Sequence, residues 1–282
     1  MAYEITLATT MAISVLLALS LNFITGFCGQ ISLGHAAFYG AGAYMSAILT
    51  KAGVPFLLTL VPAAMIAGAI GFIVGLASLR VRHDFLAITT MGVVFLFVGF
   101  VRQQDALGGE LGISSIPSHG LGSLGFLAAA VIAAAAFAAF SFYVKKSWMG
   151  FAFDAIADDE DTARVLAISV PRYKLAAFVI GTAVAGVAGA FYAHHVRFIG
   201  ADSFGFIESI TILSMVIVGG IGSVAGVSIA AAVLSVLPLW SQAIADYKLL
   251  VYSGLLFGMM RFSPDGLAGI TQRSLKRWGL VK

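Results

Sequence analysis

From Asn22 the sequence reads NFITGFCGQISLGHAAFYGAGAY, an apolar run that also gathers groups able to handle a polar solute. Asn22, Gln30, Ser32 and His35 carry hydrogen-bonding side chains, and Gly26, Gly29, Gly34, Gly40 and Gly42 fall among them. A second cluster, IVGGIGSVAGVSIAAAVL, holds Gly219, Gly220, Gly222 and Gly226. Two readings of such stretches compete. Small residues let helices approach closely inside a bilayer. Alternatively a helix breaks near residues 26–34, and its freed backbone groups line a wet pathway together with Gln30 and Ser32.

The second cluster strengthens the pathway reading. In both places an apolar segment meets a glycine-rich turn, and another apolar segment runs back. Each unit then has a third segment that ends at arginine, at Arg80 and Arg82 in the first and at Arg261 in the second. Interrupted apolar segments at corresponding positions of two halves point to a site along a membrane pathway. The candidates are Asn22, Gly26, Gly29, Gln30, Ser32, His35, Gly219, Gly220 and Gly222. His35 fits a hydrogen-bonded packing residue better than a proton carrier, and His194 and His195 lie near the outer end of a helix. No HExxH pattern is present, and the single cysteine, Cys28, excludes an internal disulfide or a multi-cysteine metal site. No catalytic residue, metal or cofactor is expected.

The elements that must carry these residues are membrane spans. Hydrophobic residues make up 60% of the 282 and charged residues only 10%, too few to clothe a water-facing surface. Residues 5–50 carry no Asp, Glu, Lys or Arg, enough for two crossings of about 20 residues each. Further apolar runs occupy 55–79, 85–101, 123–144, 175–196, 209–245 and 249–260. The 209–245 run is slightly short for two spans, and Lys248 can snorkel to the interface. The expected fold is all-α: a polytopic helical membrane protein with nine apolar segments, glycine-broken helices and a weak internal repeat. No stretch suits a soluble domain, so residues 1–282 read as one membrane domain.

The net charge of +3 does not mark a nucleic-acid binder, because the basic residues flank the spans. With the loop after Val144 cytoplasmic, Arg80, Arg82, Lys145, Lys146, Arg164, Arg172, Lys174, Arg261, Arg273, Lys276, Arg277 and Lys282 lie inside. Only Lys51, Arg102, Arg197 and Lys248 lie outside, which is the positive-inside arrangement. The N-terminus is expected outside, and the C-terminal tail, 261–282, in the cytoplasm. The first basic residue is Lys51, so the first segment is expected to stay as a helix rather than serve as a cleaved signal peptide.

The cytoplasmic loop, 145–174, contains a predicted short helix over about 158–168. Asp158 is the expected cap, Asp159, Glu160 and Asp161 favour the positive end of the helix dipole, and the helix is expected to stop before Pro171. Ala163, Leu166, Ala167 and Ile168 give it an apolar side. A solvated loop needs no such side, and the acidic start argues against an anionic lipid surface. A partner protein is the better fit.

These residues carry a resemblance. The 22–44 stretch closely resembles the N-terminal signature of high-affinity branched-chain amino acid ABC permeases of the LivM type. SLRVRHDFLAITT (78–90), GGELGISSIP (108–117) and MRFSPDGLAG (260–269) resemble further family segments in order, so the likeness spans nearly the whole chain. The resemblance implies an importer of branched-chain amino acids in a bacterial inner membrane, working by alternating access. It also implies a homologous LivH-type permease, two cytoplasmic ATPases that engage the 158–168 helix, and a periplasmic binding protein. The chain departs from the family at Ala167, where Gly is usual, at Asp159, where Asn is usual, and at GGELG in place of a TGGSNG-like loop. Ala167 is acceptable there if its backbone is not left-handed. The loop difference keeps an ABC permease for another small polar solute, such as urea, as the alternative.

No GxxxxGK[ST] loop is present, so the chain is expected to be a transport subunit without its own ATPase site. A secondary transporter usually needs ionisable residues within its spans, whereas Asp84 and Glu208 sit at segment ends. A channel would need a polar or charged ring around a pore.

Overall fold

A computed structural model of the chain describes residues 2–79, 83–240, 244, 246–263, 266, 267 and 269. Arg80, Arg82 and most of the 261–282 tail lie outside the described residues.

The order is α1 (Ala2–Asn22), α2 (His35–Lys51), α3 (Phe56–Ser78), α4 (His83–Gln103), α5 (Gly122–Lys145), α6 (Trp148–Asp158), α7 (Glu160–Val165), α8 (Val170–Val196), α9 (Phe206–Gly219), α10 (Val224–Trp240) and α11 (Lys248–Phe262). Each of the nine apolar segments contains a helix among the described residues. Among the described residues, six stretches are long and apolar enough to cross a bilayer: α1 with the turn that follows it, α3, α4, α5, α8, and α9 with the turn before it. The protein is therefore a polytopic helical membrane protein. The order helix, glycine turn, helix, helix occurs twice, as α1–α3 and as α9–α11.

Burial separates the centre from the rim. About two thirds of the apolar window of α1 is buried (67%), against 22% for α4 and α5. Leu58, Met65, Leu96 and Ile132 project from α3, α4 and α5 into the surroundings, as lipid-facing side chains must. α8 lies between α2 and α3, and α1 packs against α5, α8, α9 and α10.

Glycine sets the spacing around α8. A Cβ on Gly42 would lie 2.2 Å from the Gly186 carbonyl oxygen, and one on Gly189 would lie 2.0 Å from that of Tyr39. Along the same face of α8, a Cβ on Gly71 of α3 would strike the Thr182 hydroxyl. With lipid as apolar as the side chains, close backbone packing of this kind holds such helices together.

At one end of the bundle the 108–117 loop is tied down. Ile113 and Ile199 exchange backbone hydrogen bonds of 2.8 and 3.0 Å. Lys51 Nζ donates to the Ser114 carbonyl, and Arg102 pairs with Asp202 at 2.6 Å. The opposite end carries α6 and α7.

Candidate functional site

The first glycine cluster breaks the chain in two steps. α1 passes into a π turn at Phe23–Phe27, and regular helix is absent over residues 29–34 before α2 begins at His35. Widened turns of this type recur where a helix must present backbone to a neighbour. Here the neighbour is the second glycine cluster. α9 ends at Gly219, and the turn before α10 uses left-handed Gly220 (φ 102°) and Gly222 (φ 80°), conformations that a Cβ would strain.

The two turns meet. The Gly222 amide donates to Asn22 Oδ1 at 2.9 Å across 200 residues of sequence. A Cβ on Gly26 would fall 2.1 Å from that oxygen and 2.5 Å from the Gly222 nitrogen. Lys145, at the end of α5, donates to the Gly222 carbonyl at 2.6 Å and lies over the Phe27 ring. Asn22, Gly26 and Gly222 thus form one junction, closed on a third side by Lys145.

The remaining candidates surround it. Gly29 (φ 69°) lies against Ala157 of α6, and Gly219 packs on Val227 of α10. Gln30 and Ser32 are buried. The Gln30 backbone oxygen accepts from Thr25 Oγ1, while its side-chain oxygen has no partner among the described residues. The Ser32 hydroxyl accepts from the Gly34 amide. At the start of α2, Ser209 of α9 receives the Ala36 amide, and Thr90 of α4 receives that of Leu33. Unpaired amides at the mouth of a helix are thereby satisfied by hydroxyls from two other helices.

His35 is fully buried, with Nε2 2.7 Å from Ser20 Oγ. Ser20 already donates to the Leu17 carbonyl, so the hydroxyl accepts and His35 Nε2 carries the proton. Its Nδ1 has no partner among the described residues.

The cytoplasmic-loop helix differs from expectation in extent and cap. Residues 148–165 form two helices rather than one, and α7 is six residues long instead of about ten. The cap is Asp159, not Asp158: its carboxylate accepts from the Thr162 amide at 2.7 Å, and Asp158 is the last residue of α6. That hydrogen bond holds the Asp159 carboxyl below the ordinary range. The helix ends well before Pro171, which opens α8 instead. Ala167 is left-handed (φ 60°), and the amides of Ala167 and Ile168 bond back to the Arg164 and Ala163 carbonyls. This is the Schellman closure, usually made by glycine.

The apolar side divides. Ala163 is buried and Ile168 packs on the core, whereas Leu166 and Val165 are exposed. Glu160 pairs with Lys174 of α8, so α7 is braced against a central helix. Beside it runs a groove between Trp148 and Met149 on one side and Leu166, Ile168, Arg172 and Tyr173 on the other.

The Ala167 conformation yields a stability prediction. Ala167→Gly is expected to raise stability by about 1 kcal/mol, since a left-handed alanine costs about 1–2 kcal/mol. Thermal unfolding of the purified protein in detergent checks the sign.

Sequence reasoning missed one feature. Glu208 of α9 and Lys248 of α11 form an ion pair of 2.9 Å on the wall of a cavity of about 290 Å³ near the end opposite α6 and α7. Each residue reads from sequence as the polar edge of a separate segment, and only the packing of α11 on α9 joins them.

Residues 4–260 match the family described as the branched-chain amino acid transport system / permease component. The chain belongs to this family. It is 33% identical over 301 residues to the high-affinity branched-chain amino acid transport system permease protein LivM of Escherichia coli K12, covering 96% of this chain and 71% of that protein. It is also 27% identical over 293 residues to the LivH permease protein of the corresponding system in Salmonella typhimurium, covering 94% and 93% of the two chains. The BraD permease protein of Pseudomonas aeruginosa is 26% identical over 280 residues, covering 90% and 91%. No solved structure gives a significant match. The π turn, the 29–34 break, the 220–223 turn and α7 all fall within the matched residues.

Proposed function

We propose that this chain is the membrane-spanning permease subunit of an ABC importer, moving branched-chain or closely related amino acids into the cytoplasm by alternating access. The observation that carries this reading is the family match over nearly the whole chain. Residues 1–282 act as one membrane domain, and the energy comes from two cytoplasmic ATPases, because the sequence lacks a phosphate-binding loop of its own. A homologous second permease completes the pathway. The likeness of this one chain to both LivM and LivH proteins supports a pair built from related halves. A periplasmic binding protein delivers the solute.

The end bearing α6 and α7 faces the cytoplasm, in keeping with the excess of Lys and Arg on that side and with the N-terminus outside. There α7 receives the ATPases. The junction of Asn22, Gly26 and Gly222 is the inner closure of the pathway, held shut by the hydrogen bond from the Gly222 amide to Asn22 and by the Lys145 contact. Bistable, closely packed elements of this sort switch between discrete arrangements rather than deforming gradually.

The test is reconstitution. In proteoliposomes with the second permease, both ATPases and the binding protein, labelled leucine, isoleucine or valine is expected to enter on ATP. The chain alone is expected to hydrolyse no ATP and to move no solute. Uptake driven by a proton gradient without ATPases would sink the importer reading, and urea uptake with amino acids excluded would favour the alternative solute.

A further inference from the structure

The cavity near the end opposite α6 and α7 carries an assignment that none of the glycine residues suggests. It lies between α1, α9, α10 and α11, and α2 and α8 contribute Tyr39 and Tyr192. Glu208 and Lys248 line it, 2.9 Å apart, and about a quarter to a third of each side chain is exposed (27% and 30%). Ile13 and Leu17 of α1, with Ile212 and Met215 of α9, form an apolar wall of the same space. Both ionisable residues stand at helix starts, Glu208 in the first turn of α9 and Lys248 at the first residue of α11, and each side chain stays partly open. The pair is packed on one side only and keeps an open face to the cavity, within reach of a solute.

We propose that this cavity is a transit subsite for a zwitterionic aliphatic α-amino acid. The Glu208 carboxylate takes the substrate ammonium, the Lys248 ammonium takes the substrate carboxylate, and the aliphatic side chain rests on Ile13, Leu17, Ile212 and Met215. The substrate exchanges one ion pair for two charge-assisted contacts, so the protein charges stay paired when the site is empty. The empty pair also guards specificity: a ligand with one charge leaves the other protein charge short of a partner. Two other spaces offer no such set. The groove beside α7 has Arg172 and no carboxylate, and the hollow around His119, His194 and Arg197 also lacks one. The proposal rests on the importer reading above and adds where the solute is held.

The test uses the whole membrane complex in nanodiscs, without the binding protein, bearing Ser14→Cys in the cavity wall. Cys28, the single native cysteine of this chain, is fully buried, so labelling by a charged methanethiosulfonate, read on this chain after the subunits are separated, reports the introduced thiol. L-Leucine at about four times its Kd is expected to slow labelling about fivefold. Leucinamide, which lacks the carboxylate, and 4-methyl-2-oxopentanoate, which lacks the ammonium, are expected to leave the rate unchanged. Adding Glu208→Gln or Lys248→Gln is expected to raise the leucine concentration needed by about tenfold or more.

Ligand protection is measured with both charges intact, so the first result does not depend on how the charge variants fold. Equal protection by leucinamide, or leucine protection unmoved by both substitutions, overturns the subsite. So does an absence of protection in a complex that still imports leucine on ATP once placed in proteoliposomes with the binding protein, and the importer reading then stands. A complex that imports no amino acid at all removes the importer reading and the subsite with it.

Discussion

Alanine at Gly42 is expected to destabilise the membrane bundle by about 3 kcal/mol, at the upper end of the usual cost of overpacking. The added carbon would lie 2.2 Å from the Gly186 oxygen and 2.3 Å from its Cα, both backbone atoms that no rotamer change can move. α8 cannot simply retreat, because Gly186 is backed by α3: a Cβ there would fall 2.4 Å from the Ala63 oxygen. The three helices must separate together. Gly92 of α4 gives the control, since nothing lies within 4 Å of its Cβ position. Gly92→Ala is expected to be neutral or to stabilise by about 0.5–1 kcal/mol through helix propensity alone. Thermal unfolding in detergent separates the two, and equal effects would show that glycine spacing does not set the packing of α8.

The same contrast shows which features the sequence made legible. Spans were readable because a bilayer demands long uncharged windows, and among the described residues each of the nine apolar segments contains a helix. Glycines inside those windows left close packing and a break both open, and both occur: Gly42 packs on Gly186, and the chain loses regular helix over 29–34. The π turn at Phe23–Phe27 left no signal, because widened and ordinary turns draw on the same residues. Its cause is tertiary: Gly26 must admit Asn22 Oδ1 and the Gly222 amide. The cap shifted from Asp158 to Asp159 for a related reason. Adjacent acids cap equally well in isolation, and the choice falls to the one three residues before Thr162, whose amide needs an acceptor. Glu208 and Lys248 stand 40 residues apart, so their pairing is a property of helix packing alone.

Leu166→Glu is expected to cut ATP-driven uptake by about tenfold or more while leaving the fold intact. Leu166 is 64% exposed and its neighbour Val165 87% exposed, so a charge there meets water in the isolated subunit and changes stability by only about 0.5 kcal/mol. In an assembled importer the same charge would be buried against an ATPase without a partner, and buried unpaired charges at such contacts cost several kcal/mol. The position is suited to transmit force. Asp159 caps the start of α7, the Ile168 amide closes its end, and Glu160 fixes it to Lys174 of α8. α8 in turn abuts α2 through Gly42 and Gly186, and α2 begins where the first break ends. On the proposed coupling role, a push on α7 would reach the 29–34 break through one ion pair and the close backbone contact of α8 with α2. Uptake and ATPase activity of the reconstituted complex, measured beside the melting temperature, check the claim. Loss of transport with ATPases still bound would place the defect in transmission, and loss of binding would place it in docking. Unchanged ATP-driven uptake would show that α7 does not couple the two.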